Sequence, residues 1–175
     1  MKITFLGAAE NVTGSKHLIE SEGFRLLLDC GLYQGRRSVA ARLNSELPFK
    51  AVSIDAVVLS HAHADHCGLL PTLVKQGFNG NIYCTPATAE VAEYILLDSA
   101  KIQENDATYI NDNLRVGQDP VYPLYTTEDV EKCKKHFTPT PYFRHTKQWV
   151  KVSNNIYIKN QFFSQYFCVI NSRNV

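Results

Sequence analysis

Residues 55–68 read DAVVLSHAHADHCG. The first half, DAVVLS, is a nearly continuous apolar run, the pattern of a strand covered on both faces. The second half holds His61, His63, Asp65 and His66 within six residues, while the whole chain has six His. In extended backbone, residues two apart point the same way, so His61 and His63 can reach one ion together. Asp65 and His66 follow as the chain turns into a helix, so they point elsewhere and can serve a second ion. Imidazole and carboxylate are donors that suit Zn²⁺. Two such ions about 3.5–4 Å apart can activate water for hydrolysis.

Outward from this stretch, KITFLG (2–7), KHLIE (16–20) and FRLLLD (24–29) read as further strands, and NIYC (81–84) as another. WVKV and NIYIK (149–159) predict a late hairpin. Residues 65–76 predict a short helix ending near Gly77, kinked or broken at Pro71. A longer helix starts at Thr85-Pro86, with Pro in the first helical position, and runs to about Gln103 along the line Val91, Ile95, Asp98. Residues 104–125 are polar and read as a long loop. Thr126 and Asp129 make a capping-box pattern for a helix that runs to about His136. Strands first, then strands mixed with helices, give an α/β layered domain.

The 175 residues are 45% hydrophobic and 20% charged, which excludes a disordered or collagen-like chain. A chain of this length buries about 70% of its unfolded surface without disulfide or metal. The net charge of +1 gives no whole-chain attraction to nucleic acid or membrane, and leaves room for a local basic groove. The five cysteines (30, 67, 84, 133 and 168) form no C-x-x-C pair and read as reduced thiols of a cytoplasmic protein. MKITFLGAAE reads as a first strand and not a signal peptide, and no apolar run approaches the roughly 18 residues that span a bilayer.

H-x-H-x-D-H at a strand end resembles the signature of the metallo-β-lactamase fold hydrolases. FLGAAENVTGSKHLIE, FRLLLDCGLYQG and IDAVVLSHAHADHCGLLP narrow the resemblance to the β-CASP branch, the RNA-processing nucleases. The branch includes the endonuclease subunit of the cleavage and polyadenylation machinery and its bacterial and archaeal exonuclease-like relatives. The resemblance implies an αββα sandwich, incomplete at its C-terminal side, and zinc-dependent RNA phosphodiester cleavage. It implies that His61 and His63 bind the first zinc and that Asp65 and His66 bind the second, with Asp65 also near the nucleophilic water. Asp29 would orient these histidines by hydrogen bonding to them. Read without the resemblance, Asp29 is a strand-end turn former.

The likeness runs over residues 1–159. The branch continues with a Gly-His-x-Leu-Gly-Ser-like loop, a further Asp and a last His, whereas NQFFSQYFCVINSRNV (160–175) contains neither His nor Asp. The expectation is therefore a truncated or frame-shifted N-terminal piece, with 160–175 a non-homologous tail. Weak metal affinity, little activity alone, and self-association through an exposed sheet edge would follow. The alternatives are a hydrolase of thioesters, lactams or small phosphodiesters on the same fold, or a non-catalytic zinc-binding fragment.

Several other residues carry weaker signals. His17 reads as a polar strand residue near the mouth of the site. The G-x₆-GSK pattern of residues 7–16 lacks P-loop spacing, and Gly7 and Gly14 read as tight turns beside the metals. Arg36 and Arg37 read equally as phosphate contacts or a solvated loop. Cys67 reads as an inward-packed small hydrophobe. His136 reads as solvent-facing, and His145 lacks the context of a missing ligand. Lys132, Lys134 and Lys135 read as a solvated basic face.

Overall fold

The computed structural model describes residues 1–140, 150–153, 156–160 and 167–171. The chain begins with three strands, β1 (Lys2–Gly7), β2 (Lys16–Ser21) and β3 (Phe24–Leu28), paired as an antiparallel meander. Glu22 and Gly23 form the two-residue β2–β3 turn, with φ of 52° and 82°. Two successive left-handed residues match the twist of a tight hairpin.

From β3 the sheet becomes parallel. The order β1-β2-β3 continues with β4 (Ala56–Val58), β5 (Asn81–Cys84) and β6 (Phe137–Pro139). Helices make the crossovers: α1 (Arg37–Ser45), then α2 (Ala64–Cys67) and α3 (Leu70–Lys75), then α4 (Pro86–Asp112) and α5 (Thr127–Lys134). A separate antiparallel sheet holds β7 (Val150–Ser153), β8 (Ile156–Asn160) and β9 (Phe167–Asn171). The expected hairpin is thus present as β7–β8. β9 lies within residues 160–175 and pairs with β8.

Both faces of β4 and of the adjoining parts of β3 and β5 are buried, which is why these sequences do not alternate. Leu27, Val57, Leu59 and Ile82 join the large cluster with Leu70, Leu73, Leu96 and Tyr125. Their neighbours Leu26, Ala56, Val58 and Tyr83 point the other way, into a second cluster with Ile19. Period two sends adjacent apolar residues to opposite faces.

Several sequence expectations are corrected. The helix expected over 65–76 is two helices, α2 and α3. The break falls at Gly68 and Leu69, and Pro71 sits in the first turn of α3, where its missing N–H costs nothing. Helix α4 runs on to Asp112, nine residues past Gln103, so about the first two fifths of the expected 104–125 loop is helical. Its buried line is Ala92, Leu96, Ala100 and Ala107, whereas Val91 is 49% exposed. The segment after α4 folds back on the helix's polar side chains. Gln103 accepts from the Leu124 amide, Glu104 from Thr127, and Asn111 bonds Val121 in both directions. Arg36 is exposed at the N-cap position of α1, without a side-chain cap hydrogen bond, and Arg37 is the first residue of that helix. Lys132 and Lys134 are paired with Glu128, Glu93 and Glu131. His136 is half-buried, with Nδ1 2.9 Å from the Gly80 carbonyl. His145 lies outside the described residues.

The capping box of α5 is formed as expected, with the Thr126 hydroxyl accepting from the Asp129 amide and the Asp129 carboxylate accepting from the Thr126 amide. Thr126→Ala removes this cap. It is expected to cost about 1 kcal/mol in denaturant unfolding.

Candidate metal centre

The site lies beyond the carboxyl ends of β3 and β4, where parallel α/β sheets leave a crevice. Asp29 is the first residue after β3 and is left-handed, with φ 60°. Its amide donates to the Val58 carbonyl at 2.9 Å, which holds the two strand ends together. Only 4% of Asp29 is exposed, so its carboxylate needs internal donors. Ser60 supplies two of them, its amide to Oδ1 at 2.8 Å and its hydroxyl to Oδ2 at 2.9 Å. His66 Nδ1 lies 2.8 Å from Oδ2, and the Ser15 hydroxyl 3.4 Å.

The Asp29 contact determines how His66 is presented. A carboxylate against Nδ1 requires the hydrogen on that nitrogen, which leaves Nε2 with the free lone pair. That hydrogen bond to Asp29 raises the His66 pKa above the ordinary histidine value, against desolvation by burial. Nε2 lies 3.6 Å from Asp65 Oδ2, so the helix turn brings the second expected pair together.

His61 and His63 flank Ala62, which is buried and anchors the extended segment between them. Their rings lie 4.6 Å apart at 71°. The His61 ring is also 4.0 Å from that of His66. Burial, then the neighbouring His66 and His63, push the His61 pKa down and favour a neutral imidazole with a free lone pair. His63 is the N-cap of α2 and is exposed. The structure therefore brings His61, His63, Asp65, His66 and Asp29 into one crevice. Among the described residues, no three His, Cys, Asp or Glu side chains are arranged to hold one metal ion.

Close backbone contacts set this geometry. Ser15 N–H donates to the Asp65 carbonyl at 2.8 Å, Cys30 N–H to His66 at 2.8 Å, and Leu32 N–H to Ala64 at 2.9 Å. A Cβ on Gly31 would overlap the Asp65 carbonyl. Gly31→Ala is therefore expected to push Asp65 out of place at about 1–3 kcal/mol of stability, read by denaturant unfolding with a parallel zinc titration. Cys67 is fully buried, as expected, with Sγ 3.3 Å from the Ala62 carbonyl, and burial raises its pKa to about 12.

Three participants were not legible as such. Ser60 and Ser15 carry no motif of their own in the sequence, although a buried Asp29 implies nearby donors. His17 is more than a polar strand residue: Nε2 lies 3.4 Å from the Ser15 hydroxyl, and the ring packs edge-on to Phe5 at 5.2 Å.

A family profile described as Metallo-beta-lactamase superfamily matches residues 13–146. The chain belongs to the metallo-β-lactamase superfamily. The chain is 38% identical over 142 residues to "Ribonuclease TTHA0252" of Thermus thermophilus, covering 81% of this chain and 28% of that protein. It is 29% identical over 142 residues to "Transcription termination factor FttA" of Methanocaldococcus jannaschii, covering 81% and 20%. It is 37% identical over 103 residues to "Cleavage and polyadenylation specificity factor 73" of Drosophila melanogaster, covering 58% and 15%. The chain spans less than a third of the length of each of these relatives. Among solved structures, a metallo-beta-lactamase from Cronobacter sakazakii matches with TM-score 0.50 and 17% identity, covering 98% of this chain and 57% of that one. The fold is that of the superfamily, and the chain covers part of it.

Proposed function

We propose that the chain carries the metal-binding loop of a zinc-dependent ribonuclease, acting on RNA phosphodiesters in the intact protein. The observation that carries this is the Asp29–Ser60–His66 arrangement beside His61 and His63, in a chain whose relatives are named ribonuclease and cleavage factor. The donor chemistry fits zinc: three imidazoles, and a carboxylate, Asp65, beside one of them. His61 and His63 would hold one ion, and Asp65 and His66 a second. Zinc bound there would supply Lewis acidity and a nucleophilic water at neutral pH. Asp29 would keep the His66 hydrogen on Nδ1, and Asp65 would accept a proton from the attacking water.

Each pair supplies two donors where catalytic zinc sites have three. We therefore read these 175 residues alone as a weak zinc binder with little turnover. Labelled RNA, a thioester and a lactam, each with and without chelator, test the assignment on the intact protein. Chelator-sensitive loss of RNA alone is expected. Loss of the thioester or lactam alone would move the site to another hydrolase class on this fold.

The four cysteines described, Cys30, Cys67, Cys84 and Cys133, are buried and free, consistent with a reducing, cytoplasmic setting. No helix among the described residues is long and apolar enough to cross a membrane. The β1 strand is a sheet edge with Ile3 49% and Phe5 66% exposed. We propose self-association through it. Phe5→Lys should shift the sedimentation profile toward monomer, and an unchanged profile would place the contact elsewhere.

A further inference from the structure

We propose that a cavity beside the histidine loop binds a phosphate group of the substrate strand; its assignment to a nucleic acid rests on the ribonuclease reading above. The cavity is about 300 Å³ and is lined by Gly7, Ala8, Ala9, Lys16, Tyr33 and Glu46, among others. That is the lower end of the range for small-molecule sites.

Lys16 is the central feature. It lies on β2 and is 4% exposed. Its ammonium donates to the Gly31 carbonyl at 2.6 Å and to the Gly14 carbonyl at 3.2 Å. An ammonium has three donors, so one remains, and the side chain borders the cavity. Among the described residues Lys16 forms no ion pair. A buried cation met only by carbonyls is costly, and an anion in the cavity would supply the missing counter-charge. Burial pushes the Lys16 pKa down, in keeping with that deficit.

The backbone of residues 8–10, of which Ala8 and Ala9 border the cavity, is an independent observation. Ala8 and Glu10 are left-handed, with φ of 52° and 60°, and Ala9 between them is not. Non-glycine residues hold that conformation at a cost, and it recurs at ligand clamps. Turns of this kind can present successive amides to an anion. Among the described residues, the amides of Ala8, Ala9 and Glu10 donate to no backbone carbonyl. A tetrahedral phosphate offers oxygens to donors arriving from both sides. Glu46, at the exposed rim, is the one carboxylate among the residues bordering the cavity.

The cavity and the metal loop share one segment. Ser15, next to Lys16, bonds the Asp65 carbonyl with its amide and Asp29 with its hydroxyl. A phosphate on Lys16 would thus be held beside the crevice containing the histidines.

The test titrates inorganic phosphate, and separately a 5′-phosphorylated diuridine, into the 175-residue chain by calorimetry, with chelator present to silence the histidine loop. Both should bind, the dinucleotide more tightly. Lys16→Met should weaken both by about tenfold, and Lys16→Arg should retain most of the affinity. Glu46→Gln removes an exposed like charge and should tighten both by about threefold. That second variant decides the matter if Lys16→Met does not fold. No phosphate binding, or affinities unchanged in both variants, would overturn the pocket and leave the ribonuclease reading to the RNA assay. Lys16-dependent phosphate binding with no gain for the dinucleotide would keep the pocket and overturn its assignment to a nucleic-acid strand.

Discussion

Asp29→Asn is expected to lower zinc affinity by about 10–100-fold and to cut hydrolysis of RNA by the intact protein by a similar factor. Asn is nearly isosteric, so the chain path through the left-handed residue is kept, and Asn tolerates that conformation well. The chemistry changes instead. One carboxylate oxygen accepts from the Ser60 amide and the other from the Ser60 hydroxyl and His66 Nδ1. An amide NH₂ in the second place confronts the His66 N–H with another donor. His66 must then move its hydrogen to Nε2, the nitrogen needed for metal, or leave Nδ1 unpaired. The stability cost should be about 1–3 kcal/mol in denaturant unfolding.

The same substitution has a pH signature in the metal-free protein. The folded-state pKa of His66 is raised, first by its hydrogen bond to Asp29. Such a group contributes stability that is fully present below its unfolded value, about 6.5, and lost as pH rises through the raised value. The difference in stability between the parent chain and Asp29→Asn should therefore be largest in mild acid and shrink above that raised value. An NMR titration should also show the His66 pKa falling in the variant. A His66 pKa unchanged by Asp29→Asn would remove Asp29 from the role of orienting group.

The second large effect is expected from changing His61 and His63 to Ala together. Under the proposed pairing this removes both donors of the first ion and leaves Asp65 and His66 for the second. Zinc bound per chain in the intact protein should fall from two to one, and RNA cleavage should fall to background. The fold should survive, because His63 is exposed and the anchor between the two, Ala62, is untouched. Elemental analysis after dialysis, with a thermal melt alongside, reads both quantities. A stoichiometry that stays at two would show that these histidines are not the first pair.

The failures of sequence reading share a physical cause. The extension of α4 through ENDATYIND was missed because little in that stretch is apolar. It is held by the small residue Ala107 and by Glu104 and Asn111, which hydrogen-bond the returning segment. Helix α1 was missed for a related reason. Its one buried residue is Asn44, which bonds the Tyr33 backbone in both directions and so acts as a clamp and not as a hydrophobic anchor. Hydrophobic periodicity cannot register either device. The capping box at Thr126 was legible because both of its partners lie within four residues of each other.

The H-x-H-x-D-H stretch, the apolar runs on either side of it and the Thr126 cap are local facts. Alternation along an extended chain is enough to put His61 and His63 on one side, and two-sided burial is enough to make residues 26–28 (LLL) and 56–58 (AVV) apolar throughout. The sequence by itself thus determined the α/β class and supplied the candidate donors. Only the tertiary structure decided that Asp29 meets a histidine 37 positions later, that Ser60 and Ser15 supply its other donors, and that Lys16 is buried against Gly31. Those contacts depend on parallel pairing of β3 with β4 and on the close approach that Gly31 permits, and neither strand register nor backbone proximity is encoded within a single local stretch.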